Sequence, residues 1–106
     1  MIAQLPPEYC QHVTTNGLFE GRVVTATYEG DIILWGEEEV ASANAAMEVD
    51  ACAPGFIAFA GDGGGEVFMF DNAGAIYLLP MIGMEPEAAM PVAANFLELC
   101  EGLQHE

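Results

Sequence analysis

The chain has 106 residues, the length of one small domain, so we expect a single domain over residues 1–106. Leu, Ile, Val and Phe make up about a quarter of the sequence, more than in chains too polar to fold. Seventeen Asp and Glu stand against one basic side chain, Arg22, and the net charge of −16 disfavours binding to nucleic acid or to an anionic membrane.

The predicted elements begin with a short helix and a strand. Leu5-Pro6-Pro7-Glu8 places proline and an acidic side chain where the first turn of a helix favours them. Asn16-Gly17 is typical of a helix end, because glycine readily adopts the left-handed conformation found there. These signals predict a helix over 6–15. The β-branched and aromatic residues that follow predict a strand over 22–28.

A turn, a buried strand and a second helix come next. Glu29-Gly30-Asp31 is a turn signal, and the apolar run at 32–35 predicts a buried strand. Three consecutive glutamates at 37–39 suit the first turn of a helix, because carboxylates interact favourably with its positive end. Apolar residues then recur at helical spacing, so a helix is predicted over 37–47.

Three strands with short connections form the middle of the chain. Apolar residues predict strands over 56–60, 66–71 and 75–80, separated by glycine-containing turns. The middle strand is apolar at every position from 67 to 70, so both of its faces are apolar, as in a strand that is covered on two sides. This arrangement predicts an antiparallel meander.

The last predicted element is a helix over 95–104. Asn95 followed by Glu98 has the spacing of a capping box, and apolar residues continue at helical spacing. The prolines between 84 and 91 predict an irregular turn before this helix. The predicted fold class is therefore α+β, a small antiparallel β-sheet with helices packed on it.

The sequence predicts neither a membrane segment nor a metal site. It lacks an apolar run long enough to span a membrane, and its start lacks the features of a signal peptide, so a cytoplasmic protein is expected. Cys10, Cys52 and Cys100 lie far apart without a Cys-x-x-Cys pair, and we expect free, mostly buried thiols. No cofactor is predicted.

The glycine-rich run could suggest a phosphate-binding loop. Such a loop would continue with lysine and serine or threonine, whereas Glu66 follows here. Glycine readily adopts positive φ, which tight turns require. Gly61, Gly63, Gly64 and Gly65 are therefore interpreted as a structural turn.

The sequence signals for metal binding and for catalysis are equally weak. Asp62, Glu66 and Asp71 lack the alternating carboxylates of a calcium loop and are interpreted as a solvated acidic edge. His12 and His105 have no companion at a spacing typical of a catalytic triad and are interpreted as surface residues. No catalytic residue is predicted, and an enzymatic function is disfavoured.

The run from Pro54 to Asp71, with its Gly-Asp-Gly-Gly-Gly-Glu turn and the Phe-Asp after it, resembles the central signature of the SUKH superfamily. That superfamily includes fungal cell-wall assembly regulators and many bacterial immunity proteins. Three further features follow the family's order. They are the Leu-Pro start at Leu5 with Asn16-Gly17, Leu34-Trp35 before glutamates, and Ile82-Gly83-Met84 continuing through Pro91 to Phe96. The resemblance spans residues 5–103 and implies an α+β fold without catalysis.

For a bacterial member, the resemblance implies a protein that binds and neutralises a toxin, often a nuclease. The charge favours the same interpretation, because a nuclease holds phosphates in a basic site that an acidic protein can occupy quickly. The predicted partner is a basic protein, a toxin domain, and the predicted mechanism is steric and electrostatic blockage. The candidate contact residues are Trp35, Glu37, Glu38, Glu39, Asp62, Glu66 and Asp71.

Several alternatives remain open at this point. A regulatory or scaffold module for a housekeeping protein would share the fold, and genomic context would separate the two functions. A small-molecule or metal-binding domain would be stabilised by its ligand in a thermal-shift screen. Trp35 is favoured as a core residue over a partner anchor, and residues 81–84 are favoured as buried over an adaptable contact surface. An uncovered sheet edge would permit a homodimer.

Overall fold

A computed structural model describes residues 5–104. The helices in that range are α1 (Pro7–Asn16), α2 (Glu37–Met47), α3 (Val49–Cys52) and α4 (Phe96–Glu101), with a 3₁₀ turn at Pro86–Ala88. The strands in that range are β1 (Glu20–Val24), β2 (Glu29–Leu34), β3 (Ile57–Gly61), β4 (Glu66–Phe70), β5 (Ile76–Pro80), β6 (Met90–Ala93) and β7 (Leu103–Gln104).

The strands form one antiparallel sheet in the order β6-β5-β4-β3-β2-β1-β7. Spatial order follows chain order from β1 to β6, so the meander predicted for three strands extends through six. β7 pairs with the outer side of β1, where Val23 lies opposite Leu103. The predicted α+β class, a small antiparallel sheet with helices, is confirmed.

The sheet is curled, and its two ends approach each other. The hydroxyls of Thr25 and Thr27, which follow β1, donate to the carbonyl oxygen of Val92 in β6 at 2.7 and 3.0 Å. Thr27 also donates to the carbonyl oxygen of Pro91 at 3.0 Å. Because these edge carbonyls are already bonded and Pro91 has no N–H, β6 is a poor template for pairing with a second chain.

Both faces of β4 are buried in the core. Residues 67–70 are all 0% exposed, which confirms the prediction of a strand covered on two sides. An aromatic cluster forms around Tyr9 of α1. Its ring meets those of Phe59, Phe70 and Phe96 edge-on, with centroids 5.2–5.9 Å apart. The cluster thereby joins α1 and α4 to the centre of the sheet.

Asn44 fastens α2 to β3. Its Oδ1 accepts a hydrogen bond from the backbone N–H of Ala58 at 2.9 Å, and its Nδ2 donates to the carbonyl oxygens of Ala58 and Val40 at 2.8 and 2.6 Å. β2 ends at Leu34, which pairs with Ala60, so Ala58 lies beyond the end of β2. The amide therefore occupies the place of the missing strand and satisfies buried backbone groups.

The predicted strand over 22–28 is wrong at both ends, because Thr25 begins a turn. Its Oγ1 accepts from the backbone N–H of Tyr28 at 3.0 Å, and its own N–H donates to the Tyr28 carbonyl at 2.7 Å. The turn predicted at 29–31 is instead the first half of β2. Gly30 suits a strand there because the Tyr28 side chain occupies the space where a Cβ would lie.

The end of the chain also differs from the prediction. Asn95 caps α4 as expected, since its Oδ1 accepts from the N–H of Glu98 at 2.8 Å. The helix ends at Glu101 rather than at 104, because Leu103 and Gln104 pair with β1 as β7. Gly102 permits this approach, since a Cβ there would overlap the carbonyl of Val24. The expectation of mostly buried thiols is also wrong, since Cys52 is exposed.

Candidate protein-binding surface

The carboxylates lie at the surface. No charged side chain within residues 5–104 is buried. Arg22 approaches Glu29 at 3.0 Å and Asp31 at 3.5 Å, but all three side chains are more than half exposed, so these ion pairs contribute little stability. Because the sequence has no other Lys or Arg, the remaining carboxylates produce a strongly negative surface.

Raising the concentration of sodium chloride should raise the melting temperature. The carboxylates repel one another in the folded state, and the Debye length falls from about 30 Å at 0.01 M salt to about 8 Å at 0.15 M. Relief of about 1 kcal/mol would raise the melting temperature of a domain of this size by roughly 4–8 °C. Chloride is preferable to sulfate, which stabilises folds by exclusion. A melting temperature that does not respond to chloride would contradict strong repulsion at this surface.

Three carboxylates lie near Tyr28, at the ends of the strands where β1 connects to β2 and β3 connects to β4. Burial raises the pKa of Tyr28, and the carboxylates of Asp62, Glu66 and Asp31 raise it further, partly opposed by Arg22. These effects mark a local concentration of negative charge. We call Asp31, Asp62 and Glu66 the acidic turn cluster.

Asp62 organises the turn between β3 and β4. Its Oδ1 accepts from the backbone N–H groups of Gly64 at 2.7 Å and Glu66 at 3.2 Å. Gly63 has a φ of +81°, which suits the turn predicted for it. Gly61 is instead the last residue of β3, and it packs against the Trp35 ring.

Asp71 has the same local role at the opposite end of β4. Its Oδ1 accepts from the backbone N–H groups of Ala73 at 2.9 Å and Ala75 at 3.0 Å. Asp71 comes five positions after Glu66 along an extended strand, a distance of about 17 Å at roughly 3.4 Å per residue. The structure therefore does not bring Asp71 together with the acidic turn cluster.

Trp35 lies in the core, which confirms the interpretation favoured from the sequence. It is 9% exposed, and its ring packs 3.4 Å from the position that a Cβ of Gly61 would take. Its carbonyl oxygen accepts a hydrogen bond from the Tyr9 hydroxyl. Little of the ring remains accessible to a partner, so its role is to hold the chain between β2 and α2 against the end of β3.

The glutamates at 37–39 are exposed on the first turn of α2, where the sequence placed them. Glu37 lies beside α1, and its Oε1 accepts from Cys10 Sγ at 3.5 Å. Partial burial, and then Glu37, raises the pKa of the Cys10 thiol. These contacts direct this part of the acidic surface towards α1.

His12 is half-buried between α1 and α4, rather than a surface residue. Its ring meets Phe96 edge-on at 5.3 Å, and its Nδ1 lies 3.7 Å from Cys100 Sγ. Burial raises the pKa of the Cys100 thiol, which lowers its reactivity. His105 lies outside the described residues. Within 5–104, no group of three His, Cys, Asp or Glu is placed to hold a metal ion.

Sequence reasoning missed the exposure of the segment after β5. Met84 is buried at 8% exposure, but Met81 is 41% exposed and Ile82 is 93% exposed. The expectation of burial is therefore wrong for Met81 and Ile82 and holds for Met84. The signal available was Gly83, whose φ of +75° turns the chain sharply before Met84 returns to the core.

Asp62→Ala should lower the free energy of unfolding by about 1–2 kcal/mol, since two backbone N–H groups lose their acceptor. Asp62→Asn keeps the acceptor oxygen and should lose much less. Urea unfolding of the two variants distinguishes the stability lost with the hydrogen-bond acceptor of the turn from the effect of removing the negative charge. Equal losses in the alanine and asparagine variants would contradict the structural role of this side chain.

The fold and surface define an α+β domain with a strongly acidic exterior. The family model for the SMI1 / KNR4 family (SUKH-1) matches residues 2–102. The chain therefore belongs to this family, as the resemblance to the SUKH superfamily predicted. No curated protein and no solved structure matches it. No helix within residues 5–104 is long and apolar enough to cross a membrane.

Proposed function

We propose that this chain is a non-catalytic, cytoplasmic binding protein that neutralises a basic toxin domain, such as a nuclease. The observation that carries the proposal is the charge of the surface: no charged side chain in 5–104 is buried, and Arg22 is the single Lys or Arg of the sequence. Membership of the SUKH-1 family supports an immunity or SMI1/KNR4-like role.

The proposed mechanism is occupation of a phosphate-binding site. A nuclease must place cationic groups where the phosphates of its substrate lie. Carboxylates that reach those cations compete with the substrate, and the field of the whole chain speeds the encounter. The body of the domain then blocks access by its size.

The acidic turn cluster is the first proposed contact, since its carboxylates are concentrated around Tyr28 and Asp62 is fixed by its bonds within the turn. Glu37, Glu38 and Glu39 are the second, because all three are exposed on one helical turn. Asp71 and Trp35, which the sequence included in the contact set, have clear structural roles in the turn after β4 and in the core.

The test is recovery of tagged chain from its own cells at low and at high salt. The expected result is one basic protein with a toxic domain, whose recovery falls as salt rises. Recovery of a housekeeping complex would assign the chain to the regulatory alternative. Recovery of no basic protein at low salt would contradict the proposal.

Neutralising the acidic turn cluster should slow association with that protein. Asp62→Asn with Glu66→Gln removes two charges and retains the acceptor on which the turn depends. Because solvent-accessible charges at the rim of a contact act mainly on the association rate, and both side chains are only partly buried, we expect slower binding and a weaker salt dependence. Surface plasmon resonance gives both quantities. The matched comparison is between the single variants Asp62→Asn and Asp71→Asn, which each remove one charge and keep a turn acceptor, and Asp71→Asn at the far end of β4 should change the rate less.

A further inference from the structure

The most exposed large apolar side chain in residues 5–104 is Ile82, which is 93% exposed at the tip of the segment after β5. The tip is held on both sides. Before it, the N–H of Met81 donates to the carbonyl oxygen of Gly65 at 2.8 Å, and after it Met84 is buried. Exposed single hydrophobic residues are common, but here a second one, Met81, is adjacent and the backbone is anchored.

The tip lies beside the acidic turn cluster. Glu66 pairs with Pro80 across β4 and β5, and the next residue, Met81, is bonded to Gly65. An apolar side chain is thus presented at the edge of a concentrated negative charge. A central apolar anchor with charged groups around it is the usual composition of an energetically important contact.

We infer that Ile82 inserts into an apolar depression of the basic protein partner, while the acidic turn cluster contacts Lys and Arg beside that depression; this rests on the proposed function. Charge complementarity selects the occupant. A second copy of this chain would bring another net charge of −16 to a surface that is already acidic, so like-charge repulsion disfavours it.

The two parts of this contact have different salt dependences. Screening weakens the attraction between carboxylates and cations as salt rises. Burial of an aliphatic side chain does not depend on charge, and its contribution follows the apolar area removed from water. Loss of Ile82 should therefore weaken binding equally at low and high salt, whereas loss of the carboxylates should flatten the salt dependence.

The first test places a photo-reactive amino acid at position 82 in one variant and at position 97 in another, in the cells that make the chain. Leu97 is a matched control because it is also apolar, 70% exposed, and lies on α4. We expect the basic protein recovered with the unmodified chain to be cross-linked from 82 and not from 97. Cross-linking from 97 alone, or a cross-linked homodimer from 82, would overturn the inference while leaving the proposed function intact.

The second test measures the affinity of Ile82→Ser and Leu97→Ser for that purified protein at two salt concentrations. Full burial of an isoleucine corresponds to a weakening of roughly 10- to 100-fold when it is lost. We expect this from Ile82→Ser at both concentrations and almost no change from Leu97→Ser. Equal affinities of the two variants would overturn the inference, and failure of the unmodified chain to bind any basic protein would overturn the proposed function with it.

Discussion

Replacing Tyr9 with alanine should lower the free energy of unfolding by about 3–5 kcal/mol, a large part of the stability of a domain this size. The side chain is 0% exposed, and its ring touches Phe59, Phe70 and Phe96. Its removal would leave a cavity where α1, α4 and the sheet meet. Urea unfolding followed by circular dichroism measures the loss.

Tyr9→Phe is the matched variant, because it keeps the ring and removes the hydroxyl. That hydroxyl lies within hydrogen-bond distance of the carbonyl oxygens of Trp35 and Phe59, at 2.5 and 3.1 Å. We expect a loss of about 1–2 kcal/mol, since Phe59 keeps its bond from the N–H of Trp35 while the Trp35 carbonyl loses its donor. A loss from Tyr9→Ala no larger than from Tyr9→Phe would contradict the central position of the ring.

Ionisation of the Tyr9 hydroxyl should make the free energy of unfolding depend on pH. Burial raises the pKa of Tyr9 above its ordinary value of 10.0. The folded state therefore holds the proton more tightly than the unfolded state, so this contribution to stability is complete below about pH 10 and is lost above it. The free energy of unfolding should fall more steeply with pH above that point in the unmodified chain than in Tyr9→Phe. Equal slopes would contradict this account.

Replacing Asn44 with alanine should cost about 2–4 kcal/mol. Ala58 is fully buried, and both of its backbone groups bond to the Asn44 amide. Unsatisfied buried backbone groups each cost about 1–3 kcal/mol, and some relaxation towards water is available at the edge of α2. Chemical denaturation measures the loss.

Two further variants test whether the loss comes from the hydrogen bonds that bridge Asn44 to Ala58 rather than from replacing an asparagine in general. Asn44→Asp keeps an acceptor for the N–H of Ala58 but removes the donor to its carbonyl, so it should also be destabilised near neutral pH. Asn16→Ala removes an exposed side chain at the end of α1 and should change stability by about 0.5 kcal/mol or less. If Asn44→Ala lost no more than Asn16→Ala, the bridge to β3 would not matter energetically.

The parts of the fold that were predictable carry local signals. Helix α2 has the predicted bounds, because an acidic first turn precedes a regular apolar pattern. The meander of β3, β4 and β5 follows from apolar runs separated by glycine-containing turns. The cap of α4 follows from Asn95, three residues before Glu98.

The parts that were not predictable depend on contacts between distant residues. β7 has two residues, too few for a pattern, and forms because Gly102 lets the chain approach β1 closely. Thr25 has a high strand propensity, yet its hydroxyl closes a turn and then bonds to Val92 in β6. Propensity is a weaker determinant than these tertiary bonds.

Some features of the candidate protein-binding surface were predictable from the sequence and others were not. The exposure of the glutamates at 37–39 follows from their place on a helix, and it was predicted. The roles of Asp62 and Asp71 as acceptors within turns were missed, although an aspartate before a glycine-containing turn is a known signal for this geometry. The exposure of Ile82 accompanies the turn at Gly83, but the return of the chain to the core at Met84 depends on distant contacts, so the glycine alone did not predict it.

Neutralisation of a toxin is tested most directly by the growth of cells that produce the recovered basic protein together with this chain. We expect the unmodified chain to restore growth. A variant with Glu37, Glu38, Glu39 and Glu66 changed to Gln and Asp62 changed to Asn should restore growth less well at equal abundance and equal melting temperature. Growth that the unmodified chain does not restore, or that the neutralised variant restores equally well, would contradict neutralisation by this acidic surface.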